Sequence, residues 1–273
     1  MTHAMAPEIS PAIAAFDRLA ASYDDVFTYS VVGRAQRNLV WNKLRQAFRA
    51  GDRVLEINCG TGEDALFLAS RAVSVVACDG SPAMIAVARQ KLASAAPPAR
   101  VAFQTIPNER LSELTSHALF DGAFSNFSGL NCVADIPNVA ASLGKLLQPG
   151  GLAILCVSTR FCLWEMLWFL LQGQPRKAFR RISGLATARI HKSAVPIFYP
   201  TVREWSNRFA PHFRLRSVRA VGLFVPPSYA ETWANRHRKA ISFLKLLDRA
   251  FGAWPVLHSL GDHVLLEFEK VAE

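Results

Sequence analysis

From Ile13 to Phe48, apolar residues recur at three- and four-residue intervals: Ile13, Phe16 and Leu19 first, then Leu39, Val40, Leu44 and Phe48. That period gathers them on one side of an α-helix, so residues 12–50 are expected to be helical. Gly51 sits where a glycine closes a helix. Arg53 to Ile57 is a short, mostly apolar run, typical of a parallel strand buried on both faces. The two periods then alternate: helix 63–71, strand 73–78, helix 82–93, strands 101–105 and 119–125, helix 136–147, strand 152–157. Strands alternating with helices imply βαβ units and a parallel α/β sheet covered on both faces.

Beyond residue 158 the regularity breaks. Phe161 to Leu171 reads as an aromatic-rich helix, followed by the basic run Arg176 to Arg181. Thr201 to Phe209 reads as a helix, with Thr201 as cap and Glu204 three residues on. Phe213 to Phe224 reads as a strand, 228–251 as helical, and His263 to Glu269 as a final alternating strand. Segments 159–200 and 225–261 therefore look like helical insertions.

The 273 residues suffice for one large domain with an insertion, and 51% hydrophobic against 19% charged residues indicates a globular core. No apolar run reaches the ~20 residues that span a bilayer. The opening stretch MTHAMAPEIS lacks the order of a signal peptide. Cysteines 59, 78, 132, 156 and 162 are odd in number, with no CxxC spacing. A disulfide framework or a metal site is not expected, and the cytoplasm is the expected location. The net charge of +10 is localised: Arg160 to Arg219 holds twelve Lys/Arg against only Glu165 and Glu204. Such a field attracts an acidic small molecule, a membrane surface or nucleic acid, unless it is simply a solvated face.

The strongest chemical signal is Val54-Leu-Glu-Ile-Asn-Cys-Gly-Thr-Gly-Glu-Asp64, a strand entering a glycine turn and leaving as a helix. Glycines there let the backbone approach a ligand. Val75 to Asp79 ends a second strand in an acid, 23 residues after Glu56. A carboxylate at that position can accept hydrogen bonds from both ribose hydroxyls of an adenosine. Ser81-Pro82 then supplies a helix N-cap and an N1 proline.

These residues resemble the class I S-adenosylmethionine-dependent methyltransferases. Phe120 to Asn126 resembles their fourth strand, Leu146 to Leu152 their turn into the fifth, and Phe16 to Asp25 the "FD..A..YDD" stretch of quinone and acyl-carrier methyltransferases. The resemblance implies a Rossmann-like sheet of seven strands, mostly parallel with an antiparallel last strand, helices on both faces and helical insertions over the carboxyl edge. It divides the chain into a helical lid (1–50), a cofactor-binding core (51–158), a helical substrate roof (159–200), a core helix and strand (201–224), a second helical insertion (225–261) and the last strand (262–273).

It also implies S-adenosyl-L-methionine as cofactor, with S-adenosyl-L-homocysteine as product. Gly60, Gly62 and the Asn58-Cys59-Gly60-Thr61 backbone are expected to cradle the methionine end, and Glu56 to lie near its amino group. Asp79, with Gly80 and Ser81 following, is expected to hold the ribose, and Met84 to pack on the adenine. Asn126 and Phe127 are expected near the transferred methyl, and Tyr23 in the lid. Two positions depart from the pattern. Asn58 replaces the first motif glycine, and Asn tolerates left-handed backbone best among other residues. Thr105-Ile-Pro-Asn-Glu109 lacks the usual adenine-binding acid, for which Asn108 is the substitute candidate. Gly60-Thr-Gly-Glu-Asp-Ala65 also satisfies a dinucleotide-binding spacing, but Glu63 and Asp64 at the helix start are unfavourable beside a pyrophosphate.

An acceptor with a removable proton needs a base. In this fold the start of the last strand returns to the cofactor edge, which nominates His263 as base with Asp262 orienting it; Tyr199, His191 and His237 rank below. Asn131, Trp164, Trp168 and His191 are candidate substrate contacts. Aromatic and basic residues together over 161–181 suit a small lipophilic acid, or a helix lying in a membrane interface. Nucleic acid is disfavoured because strand four lacks the [DNS]-P-P-[YFW] motif. A catalytically silent S-adenosylmethionine-binding partner protein is the remaining alternative.

Overall fold

The computed structural model describes residues 10–95, 100–114, 118–190 and 193–272. It opens with α1 (Pro11–Tyr23), a five-residue π-turn (Asp24–Thr28) and α2 (Val31–Ala47). The core follows as β1 (Arg53–Ile57), α3 (Glu63–Ala69), β2 (Ser74–Asp79), α4 (Pro82–Ala93), β3 (Val101–Thr105), β4 (Phe120–Ser125), α5 (Ile136–Leu146) and β5 (Leu147–Val157). Then come α6 (Leu163–Leu171), α7 (Pro175–Ala178), β6 (Leu185–Ile190), β7 (Ser193–Phe198), α8 (Val202–Phe209), β8 (Phe213–Val221), α9 (Glu231–Arg236), α10 (Arg238–Phe251) and β9 (His263–Lys270).

Seven strands form one sheet in the order β3-β2-β1-β4-β5-β9-β8, in which β9 alone runs antiparallel to its neighbours. The order reverses between β1 and β4, and a crevice opens there at the carboxyl ends of the strands. Each face carries its own core. On one side Ile136, Val139 and Leu143 of α5 and Trp205 and Phe209 of α8 cover the sheet. On the other, Leu39 and Leu44 of α2, Leu68 of α3 and Ile85 of α4 do so. Side-chain caps fix the helix starts: Ser30 accepts from Gly33 N, Ser81 from Met84 N, and Thr201 forms a capping box with Glu204.

The structure departs from the sequence expectations mainly after residue 158. Segment 159–200 is not wholly helical, because β6 and β7 form an antiparallel hairpin. Leu185, Thr187 and Arg189 alternate outward with partly buried neighbours, a period of two outweighed in the sequence by the helical stretch before it. The helical run 228–251 breaks at His237 (φ −122°, ψ 45°) into α9 and α10. The strand expected over 213–224 ends at Val221, before Gly222 with φ +71°.

Candidate functional site

Residues 58–62 form a left-handed turn: φ is 57° at Asn58, 52° at Gly60 and 76° at Gly62. The two glycines serve different ends. A Cβ on Gly60 would meet nothing within 4 Å, so its backbone faces open space; one on Gly62 would lie 2.6 Å from the Phe103 ring. Asn58 keeps the turn but adds a side chain, and its Oδ1 accepts from Ser125 Oγ at 3.1 Å. A Cβ on Gly129 would come within 2.4 Å of Asn58 Cβ, so the glycine makes room for the amide.

Asp79 stands opposite this turn. Its Oδ2 accepts from Gly60 N at 2.9 Å and its Oδ1 from Ser81 N at 2.8 Å. The Gly80 amide also bonds this carboxylate, which offers about four lone-pair sites and so keeps acceptor capacity for a ligand. Burial raises its pKa against the pull of those amides. Glu56 lies deeper, and its Oε2 has no hydrogen-bond partner among the described residues. Burial first, then the nearby Asp64, raises its carboxyl well above the usual range. An unpaired buried carboxyl beside an open backbone turn fits the ammonium end of an amino acid.

The amino-terminal helix is pinned to these loops. Asp17 Oδ1 accepts from Ser81 Oγ at 2.7 Å and from Ala83 N at 2.9 Å, a second cap on α4. Asp24, in the π-turn, accepts from Thr61 Oγ1 at 2.6 Å and from Lys91 Nζ at 3.0 Å. π-turns recur at functional sites because the extra residue re-aims its neighbours. Tyr23 reaches the crevice from here, and burial pushes its phenol up to about 12.

At the end of β4, Phe127 (φ 46°) and Ser128 (φ 65°) are consecutive left-handed residues that are not glycine. Strain of that kind, about 1–3 kcal/mol per residue, persists only where neighbours hold it. Here they do. Asp64 accepts from Asn126 Nδ2 at 2.9 Å and Trp41 Nε1 at 2.6 Å, and pairs with buried Arg37. The Arg37 guanidinium lies 4.9 Å over the Phe127 ring, and Phe27 meets that ring edge-on at 4.8 Å.

Together these elements line a cleft open to solvent, with about 700 Å³ of empty space within it and at its mouth. Of the residues nominated from sequence, Tyr23, Asn58, Gly60, Asp79, Gly80, Met84, Asn108, Asn126 and Phe127 line it. Glu56, Cys59, Thr61, Gly62 and Ser81 do not line it, and each lies within two residues of one that does. Ile13, Phe16, Cys132 and Val133 also line it and were not nominated. The apolar period of α1 marked Ile13 and Phe16 as inward-facing, which does not distinguish a core from a ligand.

The catalytic and substrate nominations lie elsewhere: none of those described lines the cleft. Asp262 is engaged by Arg181, whose Nη2 reaches Oδ1 at 2.9 Å and whose Nη1 reaches the backbone oxygen at 3.0 Å. Its carboxyl is held low: burial opposes ionisation, but His263 and Arg181 outweigh it. Its other oxygen is 3.5 Å from His263 Nδ1, and that nitrogen has no hydrogen-bond partner among the described residues. The buried imidazole is pushed down by desolvation and rests against Phe127 at 5.5 Å. It lies next to a cleft-lining ring, on ground the guanidinium controls. Tyr199 lies beneath Arg181 (5.2 Å). Asn131 is fully used, donating to Ser158 O and Phe198 O and accepting from Ser158 N. Trp164 donates to Phe224 O at 3.0 Å, and Trp168 packs on Tyr229. His237 is exposed and stacks on Trp233. His191 lies outside the described residues. For Trp164, Trp168, Tyr199 and His237 the physical reason is packing: β7 runs beside α1, while α9 and α10 settle on α2, so neither insertion brings these side chains to the cleft.

Residues 54–151 match the family model of a methyltransferase domain. The chain is similar to the demethylmenaquinone methyltransferase of Clavibacter sepedonicus, 32% identical over 143 residues that span 52% of this chain and 56% of that one. It is also similar to the 2-phytyl-1,4-naphtoquinone methyltransferase of Synechocystis sp., 30% identical over 50% of this chain and 57% of that one. The chain thus spans a little over half the length of these curated relatives. In fold it is similar to a 1,6-didemethyltoxoflavin-N1-methyltransferase from Burkholderia thailandensis, solved with its substrate and S-adenosylhomocysteine: TM-score 0.56, 18% identity, covering 98% of this chain and 93% of that one.

Proposed function

We propose that the chain is a class I S-adenosylmethionine-dependent methyltransferase that transfers a methyl group from S-adenosyl-L-methionine to a small, lipophilic, acidic acceptor. The observation that carries this reading is the pair of carboxyls at the turn: Asp79, which keeps acceptor capacity beyond its backbone amides, and Glu56, with Oε2 unpartnered. Asp79 suits the two ribose hydroxyls and Glu56 the ammonium. Met84 would pack on the adenine, and Asn108 would meet its edge. Asn126 and Phe127, held rigid by Asp64 and Arg37, would border the sulfonium.

When bound, the cofactor supplies a methyl on a sulfonium, already electrophilic, so the chain has to align the nucleophile and exclude water. Tyr23, Ile13 and Phe16 close the α1 side for that purpose. Among the cleft-lining groups the Tyr23 phenol lies at about 12 and burial pushes the Cys132 thiol up to about 11, so neither is suited to take a proton, which leaves the carboxylates Asp79 and Glu109 for that task. An acceptor that is already ionised needs neither. A dihydroxynaphthalene ring, the reduced form of the naphthoquinones for which the two relatives are named, is lipophilic and weakly acidic, and the proton it gives up on methylation would pass to such a carboxylate. A small ring suits a cleft walled by α1 better than a nucleic-acid strand. The five free thiols are in keeping with a cytoplasmic location.

Calorimetry with S-adenosylhomocysteine tests the reading. Asp79→Ala removes two charge-assisted hydrogen bonds, each worth about 1.5–3 kcal/mol, and should weaken binding by at least ~100-fold. No binding by the unaltered chain, or unchanged affinity in the variant, overturns it. Transfer of labelled methyl to a short-tailed naphthoquinol, compared with a fatty acid, then decides between ring and carboxylate acceptors.

A further inference from the structure

Helix α6 carries Leu163, Leu167, Leu170 and Leu171, at spacings i, i+4, i+7 and i+8 that put them on one side. They are 39, 50, 44 and 88% exposed. The opposite side is anchored. Buried Glu165 accepts from Arg180 and Arg181, Trp164 donates to Phe224 O, and Phe169 packs on Tyr229. The tryptophans thus face inward and the leucines outward. Beside the row, α7 presents Arg176 and Lys177, both exposed and in no ion pair among the described residues. Exposed Phe179, Ile182 and Leu185 follow. At the other end of the helix, Leu163 N donates to Leu260 O at 2.9 Å, bringing alongside a segment whose Trp254 and Val256 are more than half exposed.

We infer that this face docks on an anionic lipid bilayer. A row of leucines lying flat, with cations at its border, is the pattern of a helix seated at the acyl–headgroup boundary. Charge excludes the other occupants. The only acids between residues 160 and 219, Glu165 and Glu204, are both held by arginines of the same chain. A two-fold contact with a second copy would set free cations against free cations. A nucleic-acid backbone would satisfy the cations and leave the leucines without a use. The docking rests on the exposed face alone, not on the proposed reaction. The same insertion continues into β7, whose Val195 packs on Ala12 and Ala15 of α1, a wall of the cleft. A docked protein would hold that wall close to the source of a lipophilic acceptor.

The test is vesicle flotation of the full chain at low salt, with phosphatidylglycerol-containing and pure phosphatidylcholine vesicles. Binding to the anionic vesicles is expected, with at least a ~10-fold weaker partition to neutral ones. The double change Leu167→Glu and Leu171→Glu should lower anionic binding by a similar factor with the melting temperature kept, and so should Arg176→Glu with Lys177→Glu. No flotation, or flotation indifferent to the leucines, overturns the inference. So does a dimer that the leucine changes dissociate in the absence of vesicle binding.

Discussion

Glu56 is held in a state that a neighbouring cation would reverse. Burial, then Asp64, with Asp79 adding to them, raises its carboxyl well above the ordinary glutamate value, and Arg37 only partly offsets them. The folded chain therefore keeps a proton that the unfolded chain releases, so this group's contribution to stability is present at low pH. It is lost as pH rises from the ordinary glutamate value through the raised one. An ammonium at Oε2 favours the charged form, so ligand binding should expel that proton. The apparent enthalpy of S-adenosylhomocysteine binding should then differ between buffers of different ionisation enthalpy, and Glu56→Gln should abolish most of the difference. Equal enthalpies for the unaltered chain would contradict the assignment. The sequence announced an acid at this strand end, but its protonation depends on Asp64 and Asp79, which the fold brings from other elements. Asn58 is a parallel case. Its left-handed backbone was readable from residue type, whereas the accommodating glycine, Gly129, is 71 positions away.

At the scale of elements, α1 is fastened by apolar contacts of Ala12 and Ala15 in its first half and by polar contacts at its middle, through Asp17, and just past its carboxyl end, through Asp24. Asp17 completes the cap of α4 through Ala83 N and orients Ser81, whose own N–H donates to the Asp79 carboxylate. Asp17→Ala should lower stability by about 1–2 kcal/mol, as loss of a helix cap does. It should also weaken S-adenosylhomocysteine binding several-fold and speed amide hydrogen exchange across 11–23. Exchange unchanged in that segment would mean that the apolar contacts alone hold the helix. The core elements from β1 to β5 were legible because long periodic runs and caps agree with one another. The β6–β7 hairpin was not, since its two six-residue strands bury little, β6 is mostly Ala, Thr and Arg, and β7 carries a proline. The Asp24–Thr28 π-turn gave no signal beyond helical periodicity, although it sets the direction of Tyr23.

Across the whole molecule, one buried ionic cluster joins the 159–200 insertion to the sheet. Arg181 bridges Glu165 of α6 and Asp262 at the mouth of β9, while Arg180 covers the outer edge of Glu165. In the sequence, Arg176 to Arg181 is a basic run that suits solvent or a ligand; Glu165 and Asp262, 97 residues apart, turn half of it inward. The sequence also nominates His263 and Asp262 as a base and its orienter, a pairing that adjacency allows but a competing guanidinium alters. The two arginines should therefore behave differently. Arg181→Ala leaves Asp262 buried beside an imidazole and should cost about 3–5 kcal/mol in urea unfolding, whereas Arg180→Ala, half exposed, should cost about 1 kcal/mol or less. Loss of Arg181 also removes the charge that, after burial, holds the imidazole of His263 down, leaving Asp262 to raise it. The His263 resonance should then titrate at higher pH than in the unaltered chain. Should both arginines prove equal in unfolding and His263 stay unmoved, the insertion is held by its apolar contacts, and the cluster does not join it to the cleft's edge.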